Sequence, residues 1–409
     1  MGGSFDGASQ SSSDDISVID RRVSSKYEVG AKLGKGAYGI VWKATVLERG
    51  GEKAVPQKDV ALKKIFDAFQ NSTDAQRTYR EILYLKQMGE HENVVKLLNV
   101  LKAENDRDIY LVFEYLETDL HAAILANILE DVHKQYIMHQ AFKALTYMHS
   151  AGLVHRDMKP ANLLLNADCV MKVADFGLAR SLSEIGGDDL EGGKLASSVL
   201  TDYVATRWYR APEVLVGSTS YGKQVDLWSL GCIFAEMLSG RPAFPGKSTL
   251  DMLEKIATVL GKPSDAQCKS LHSPFTATMM ENVAYEKLNC GERTREEQLA
   301  KWAESFPTTE ADAVDLLSKL LQYNPTERLT AIDGLTHPYC EQFFPDGSKP
   351  EVAASRVVTS FADKTLSEDK KRDTHFYREQ VNRRQQAHTP GPCSPCCRAR
   401  SRFTSARAT

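Results

Sequence analysis

Apolar residues follow two rhythms in this chain. From Tyr27 to Phe113 they gather in short runs rich in β-branched and aromatic residues: Tyr27 to Leu33, Trp42 to Val46, Asp59 to Ile65, Val94 to Val100 and Asp108 to Phe113. Such runs predict strands. One segment interrupts them. Ile82, Leu85 and Met88 give Ala75 to Met88 a single apolar edge, and Asn71-Ser72-Thr73-Asp74 offers capping side chains ahead of it, so one helix is predicted among the strands. Further on the period lengthens. In Leu129 to His149, Ile137, Ala141 and Leu145 recur every four positions, which predicts a long helix stopped by Ser150-Ala151-Gly152. Asp226 to Met237 is apolar nearly all round, as a central helix should be. Residues 250–310 hold further amphipathic helices, and Leu316 to Leu321 is the last major one. Residues 1 to 24 form a polar Ser/Asp/Gly leader with too little apolar surface to order itself, so folded sequence is expected from Tyr27. A loop is expected from Thr45 to Lys58.

Polar residues of unusual density fall where the helical part begins. His155 to Asn162 reads His-Arg-Asp-Met-Lys-Pro-Ala-Asn, and Asp175-Phe176-Gly177 lies thirteen residues beyond Asn162. Two carboxylates, a lysine and an amide are thus delivered from two short loops. Phosphoryl transfer needs one carboxylate to accept the proton of an attacking hydroxyl, for which Asp157 is the candidate, with Lys159 beside it. It also needs hard oxygen ligands for Mg2+, and Asn162 and Asp175 fit that work.

The strand-rich part adds a phosphate cradle. Leu33 leads into Gly34-Lys35-Gly36-Ala37-Tyr38-Gly39-Ile40-Val41. A dinucleotide-binding fold uses a similar glycine pattern between a strand and a helix, but Ile40-Val41-Trp42 is no helix start. The glycines therefore belong to a strand-to-strand turn whose bare backbone can close over phosphates. Val60-Ala61-Leu62-Lys63 then supplies a lysine among apolar residues, while Lys64 faces the other way and is expected in solvent. Arg77, Arg80 and Glu81 share one face of the predicted helix: Glu81 to hold Lys63, the arginines to receive an anion.

Composition narrows the field. The chain has 409 residues, 42% apolar and 26% charged, with a net charge of −3 that gives no general attraction to nucleic acid or anionic membrane. Eight cysteines without a signal peptide read as reduced thiols, and no run of eighteen apolar residues occurs, so a soluble, non-secreted protein is expected. Gly2 invites myristoylation, but Asp6 stands where Ser or Thr is wanted.

Taken together these motifs resemble those of protein kinases. The resemblance implies an α+β, bilobal fold over 27–345, with a small β-rich N-lobe (27–116) carrying one regulatory helix and a larger, mainly helical C-lobe (117–345). It implies ATP and Mg2+ as cofactors. Leu33 to Val41, Ala61, Lys63 and Glu81 would surround the nucleotide, Phe113 would guard the back of its pocket, Glu114, Tyr115 and Leu116 would form the adenine hinge, and Asp119 would meet the ribose. Lys159 marks serine/threonine rather than tyrosine specificity. His155 reads as a packed imidazole rather than a proton shuttle, Asp226 as a cap on the catalytic-loop backbone, and Arg328 as the buried partner of Glu213.

Thr201-Asp202-Tyr203, between Asp-Phe-Gly and Ala-Pro-Glu, is similar to the dual-phosphorylation motif of mitogen-activated protein kinases. Arg77, Arg80, Arg156 and Arg180 would receive phosphorylated Thr201, and Arg207 and Arg210 phosphorylated Tyr203. The stretches Lys64 to Phe69, Asp74 to Thr78 and Ala103 to Tyr110 resemble the atypical extracellular-signal-regulated kinases of the seven/eight type. Asp202 stands where animal members of that branch carry Glu. After His337-Pro338-Tyr339, where most relatives carry an acidic cluster that docks partners, the stretch Phe343 to Lys349 keeps only Asp346. Protein substrates are implied, with a preference for Pro after the target, and activation by an upstream dual-specificity kinase or by autophosphorylation. A monomer in the cytoplasm is expected, with the nucleus or a ciliary base as further places. The alternatives are a cyclin-dependent-like kinase or an inactive kinase-fold scaffold. Residues 346–409 form an extension; from Gln380 onward it holds six arginines, no acid, and Cys393, Cys396 and Cys397, which are open to acylation.

Overall fold

The computed structural model describes residues 19–36, 39–50, 53–182, 207–218, 220–306, 309–345 and 347–357, together with 375, 377–379 and 381. The described residues fall into two compact units: those up to Tyr79 with Leu98–Val112 and those between 375 and 381, and Arg80–Leu97 with those from Phe113 to Val357.

The first unit is built on helix α1 (Arg21–Ser24) and strands β1 (Tyr27–Lys35), β2 (Gly39–Gly50), β3 (Lys53–Ile65), β4 (Leu97–Lys102) and β5 (Ile109–Glu114), in the sheet order β1-β2-β3-β5-β4. In the β2/β3 register, Trp42 faces Leu62 and Ala44 faces Val60, and these four are buried. Alternation along the strands puts Val41, Lys43, Ala61 and Lys63 on the opposite face. Ala44, Val60 and Leu62 pack with Val23, Tyr27, Tyr110 and Val112.

Three expectations change here. Structure starts before Tyr27, because Asp20 caps α1 through the Arg22 N–H and accepts the Glu104 N–H at 2.6 Å, while Val23 plugs the sheet. The expected loop from Thr45 to Lys58 is a β-ribbon paired out to Gly50 and Lys53; a register shift between Thr45 and Leu47 absorbs the mismatch. Lys64 is not in solvent. It is 5% exposed, pairs with Asp108 at 3.0 Å and lies over the rings of Phe66 and Tyr110, so the sheet face that sequence alternation offers to water is covered.

Helix α2 (Ser72–Met88) starts at its capping residues, with the Asp74 N–H on the Asn71 carboxamide oxygen at 2.9 Å. It is buried well beyond one edge: Ala75, Tyr79, Glu81, Leu83 and Tyr84 are enclosed as well as Ile82, Leu85 and Met88.

The second unit is mainly helical. Strand β6 (Thr118–Asp119) and helices α3 (Leu120–Leu125) and α4 (Asp131–Ser150) come first, then the short strands β7 (Leu153–Val154), β8 (Leu163–Leu165), β9 (Met171–Val173) and β10 (Arg180–Ser181). These pair as β6-β8-β9 and β7-β10, so they fix both ends of the two polar loops. Helices α5 (Pro212–Leu215), α6 (Gln224–Ser239), α7 (Thr249–Leu260), α8 (Asp265–Ser270), α9 (Thr276–Glu281), α10 (Tyr285–Leu288), α11 (Arg295–Ser305), α12 (Ala311–Leu320) and α13 (Ala331–Leu335) follow. The side chains of α6 from Val225 to Met237 are all buried, as its composition predicts. Close approach of α13 to α4 depends on Gly334, where an added Cβ would sit 2.5 Å from the Phe142 ring. Residues 350–357 lie along this unit: Ala353 and Val357 donate their N–H groups to Ser150 Oγ and the Ala151 carbonyl. Among the described residues no helix is long and apolar enough to cross a membrane.

Candidate active site

The polar octad leaves β7 and runs through a single 3-10 turn, Pro160–Asn162, into β8. Within it Asp157, Lys159 and Asn162 meet. Lys159 Nζ lies 2.6 Å from Asp157 Oδ2, and the Asn162 amide donates to the same oxygen at 3.1 Å and to the Asp157 carbonyl at 2.8 Å. Two donors on Oδ2 orient the carboxylate and stabilise its charge, which leaves Oδ1 as the oxygen for an incoming hydroxyl. The Asn162 amide nitrogen is spent on Asp157, so its carbonyl oxygen is the atom suited to a hard cation.

Asp226, fully buried on α6, holds the loop in shape. Its Oδ2 accepts the His155 N–H at 2.9 Å, its Oδ1 the Arg156 N–H at 2.8 Å, and His149 Nε2 lies 2.9 Å from Oδ2. Burial alone would raise its pKa; the hydrogen bond and charge of His149, with His155 and the Arg156 N–H, outweigh burial and hold the carboxyl below its ordinary value. Arg156 sits at φ 70°, a left-handed conformation costly for a side-chain-bearing residue, and the two N–H bonds to Asp226 keep it there. His155 is fully enclosed, with Nε2 on the Ala174 carbonyl at 3.0 Å and the Asp157 N–H on Nδ1 at 3.3 Å. Both ring nitrogens are engaged with backbone, so it ties the two polar loops together and moves no proton.

Asp175 also has a positive φ, 62°, and caps a one-turn helix whose Phe176 meets the His155 ring edge-on at 5.1 Å. Arg156 donates to the Leu178 carbonyl and lies over the Tyr221 ring, and Arg180 stands opposite Val154 in the β7/β10 pair. Glu213 and Arg328 form a bidentate pair at 2.6 and 2.7 Å, both buried, with the guanidinium over Trp228. That pair was legible in sequence. Tyr209 was not: it donates to the buried Glu236 carboxylate at 2.7 Å, and Ser229 binds its carbonyl.

At the end of β5, the Glu114 side chain is already engaged, by the Lys96 N–H at 2.8 Å and Lys172 at 3.0 Å, and its N–H donates to the Lys96 carbonyl. Both contacts fall on Oε1, and of its backbone groups the carbonyl is the one left for a ligand. Phe113 is 8% exposed; Tyr115 and Leu116 complete the segment. Asp119 spends one carboxylate oxygen capping α3 through the Ala122 N–H, a use that sequence reading missed although Asp before a helix is the usual cap.

The first unit carries Leu33 to Lys35 on β1, Gly36 just past its end and Gly39 to Val41 on β2, with Ala61 and Lys63 on β3; Lys63 faces Val41 and Ala61 faces Lys43. An added Cβ at Gly34 would meet nothing within 4 Å, whereas at Gly39 it would lie 2.0 Å from the Lys64 carbonyl. The open backbone at Gly34 suits phosphate oxygens. Gly39 is required by strand pairing. Arg77, Arg80 and Glu81 lie on consecutive turns of α2, with Arg80 and Glu81 buried. Arg207 and Arg210 flank Trp208 and Tyr209 just before α5. Ala37, Tyr38, Thr201, Tyr203, Asp346 and the three tail cysteines lie outside the described residues.

A carboxylate held by Lys and Asn beside a second acidic loop is equipment for phosphoryl transfer, and each unit carries motifs of the protein kinase type. The protein kinase domain family matches residues 27–340, and the chain belongs to it. Among its relatives, extracellular signal-regulated kinase 2 of Dictyostelium discoideum is 54% identical over 332 residues, 81% of this chain and 84% of that protein. Mitogen-activated protein kinase 15 of Xenopus laevis is 48% identical over 81% of this chain and 53% of its own length, and extracellular signal-regulated kinase 7 of Drosophila melanogaster 44% over 80% and 34%. The match thus spans about half or less of those two animal relatives. The chain is a serine/threonine protein kinase of the mitogen-activated class, similar to its atypical branch. That family as a whole works on protein substrates with ATP and Mg2+.

Proposed function

We propose that this kinase transfers the γ-phosphate of ATP to Ser or Thr followed by Pro, with Asp157 as the base that orients the substrate hydroxyl and accepts its proton. The observation that carries this reading is the pair of donors on Asp157 Oδ2, in a loop fixed by the buried Asp226. Lys159 offsets the negative charge that gathers at the attacking oxygen. Asn162 and Asp175 supply the oxygens for Mg2+, which when bound neutralises phosphate charge. Lys63, oriented by Glu81, binds the α- and β-phosphates beneath the glycine turn, Leu33 to Val41. Ala61 and Phe113 border the adenine, which hydrogen-bonds to the Glu114 carbonyl and the Leu116 backbone, with Tyr115 between them. Asp119 serves the ribose with its remaining oxygen.

Activation follows phosphorylation of Thr201 and Tyr203, with Arg77, Arg80, Arg156 and Arg180 receiving the first phosphate and Arg207 and Arg210 the second. The single acid in Phe343 to Lys349 favours autophosphorylation over docking of an upstream kinase, and the working compartment is the cytoplasm, with the nucleus or a ciliary base as further sites. The test is mass spectrometry of Thr201 and Tyr203 in protein expressed with and without Asp157→Ala, alongside phosphate transfer to a Ser-Pro peptide and its Ser-Ala counterpart. Phosphate on both residues in the parent and neither in the variant, with transfer favouring Ser-Pro, is expected. Equal phosphate in both proteins removes autophosphorylation, and transfer by Asp157→Ala at the parent rate removes the catalytic assignment.

A further inference from the structure

Helix α1 is one turn long, and a single turn does not hold itself together in water. The sheet keeps it in place. Val23 is fully enclosed, packed with Tyr27, Ala44, Val60, Leu62 and Tyr110. Asp20 adds two bonds just ahead of the turn: its N–H donates to Tyr110 Oη at 3.1 Å, and its carboxylate accepts the Glu104 N–H at 2.6 Å. The other side chains of the turn meet water. Arg21, Arg22, Ser24, Ser25 and Lys26 are all exposed, and the Arg22 ion pair with Glu104, 3.2 Å long and open to solvent at both ends, holds little.

In Arg21-Arg22-Val23-Ser24 the fold thus uses the valine and leaves two guanidinium groups and a hydroxyl facing solvent. Guanidinium groups three and two residues ahead of a serine suit a kinase whose substrate groove is lined with carboxylates, because each makes bidentate, charge-assisted bonds there. Ser24 lies outside the target proposed above, since Ser25 rather than Pro follows it. The hydroxyl also closes the turn. Ser24 Oγ donates to the Arg21 carbonyl at 3.2 Å, the same oxygen that accepts the Ser25 N–H at 3.0 Å. The next two carbonyls are engaged likewise, Arg22 by Ser25 Oγ at 3.0 Å and Val23 by the Lys26 N–H at 2.9 Å. Phosphate on Ser24 removes that donor and sets a charge of about −1.5 to −2 against carbonyl oxygens, the unfavourable end of a helix for an anion. Arg21 and Arg22, as sequence neighbours, reach the phosphate whether or not the turn is seated, so they do not offset the difference.

We propose that Ser24 is a phosphorylation site for an arginine-directed kinase other than this chain, and that phosphate there unseats α1 from the sheet. In the reaction Ser24 Oγ bonds to the γ-phosphorus of ATP, the bond from that phosphorus to ADP breaks, and the hydroxyl proton passes to a base of the modifying kinase. The acceptor must extend to enter a groove, so it is taken while Val23 is out, and the phosphate then keeps Val23 out. The face uncovered is the back of β2 and β3, whose opposite face carries Val41 and Lys63.

The test uses the full chain with Asp157→Ala as parent, labelled ATP, and the catalytic subunit of cyclic-AMP-dependent protein kinase as the arginine-directed probe, with label counted above that of a sample lacking the probe. Label at Ser24 approaching one phosphate per chain is expected, and its loss from that peptide in Ser24→Ala. Val23→Ala frees the turn more often and is expected to take label about five-fold faster, whereas Ser25→Ala is expected to match the parent. On phosphorylation, hydrogen–deuterium exchange of residues 20–27 and 58–62 is expected to quicken about ten-fold, with α4 unchanged. Absence of label at Ser24, or label on Ser25 in its place, overturns the site. Labelling of Val23→Ala within two-fold of the parent, or exchange within two-fold of the unmodified chain, overturns the unseating. Acceleration spread equally over α4 overturns it too, since that result reports general loosening.

Discussion

Removing the carboxylate of Asp226 should disable the catalytic loop while leaving every residue that touches substrate in place. In Asp226→Ala the N–H groups of His155 and Arg156 lose their acceptor in a place water does not reach, and His149 loses its partner. Each orphaned buried donor costs about 2 kcal/mol, so the two backbone groups alone cost about 4 kcal/mol. That is a large part of the roughly 5–15 kcal/mol that holds a domain together. Asp226→Asn keeps one acceptor oxygen but points an amide N–H at a donor, for which about 2–3 kcal/mol is expected. Urea unfolding followed by tryptophan fluorescence gives the midpoints, and the order parent, Asn variant, Ala variant is the expected one. Arg156 also loses what keeps it left-handed, so in protein that remains folded kcat should fall at least a hundred-fold while KM for ATP changes little. An Ala variant unfolding within about 0.5 kcal/mol of the parent, the range of an inert surface substitution, would refute the account of Asp226 as the loop's anchor.

Three further outcomes are expected. Glu213→Ala or Arg328→Ala strands a buried charge and should cost about 3–5 kcal/mol in chemical denaturation, while the double change Glu213→Leu with Arg328→Met should recover most of it. Gly39→Ala, with its Cβ 2.0 Å from the Lys64 carbonyl, should lower stability by about 1–3 kcal/mol, whereas Gly34→Ala should fold normally and raise KM for ATP; equal stability of the two by calorimetry contradicts this. Burial, with Lys143 adding, lowers His91 and His139 from 6.5 to about 4, so between those values the unfolded chain binds more protons than the folded one. Stability is therefore full above pH 6.5 and falls on acidification toward pH 4, by about 1.4 kcal/mol per pH unit for each histidine. His139→Leu should remove one proton's worth of that slope in unfolding titrations between pH 5 and 7.

What was legible in sequence was chemistry placed close together along the chain. Asp157, Lys159 and Asn162 lie within six residues, so a single 3-10 turn brings them into contact. Asp226 is remote from its partners but opens a segment apolar nearly all round, where an unpaired charge is costly, whereas the pairing of Arg328 with Glu213 was legible only through the family resemblance, since Asn324, Thr326 and Glu327 are polar. Lys64 escaped the same reasoning. Strand alternation does turn it away from Lys63, but whether that face meets water depends on α1, on Tyr110 and on a carboxylate forty-four positions later in the chain. Glu114 and Lys172 were hidden for a like reason, since nothing in either neighbourhood announces the other. The atypical-branch stretches make the point sharply. Read as sequence they mark kinship; in the fold Asp67, Arg107 and Asp108 bond to one another. Those residues are bound to each other by structure rather than by catalysis, so a substitution at Asp108 should disturb Lys64 and Asp67 before it disturbs any group that touches ATP.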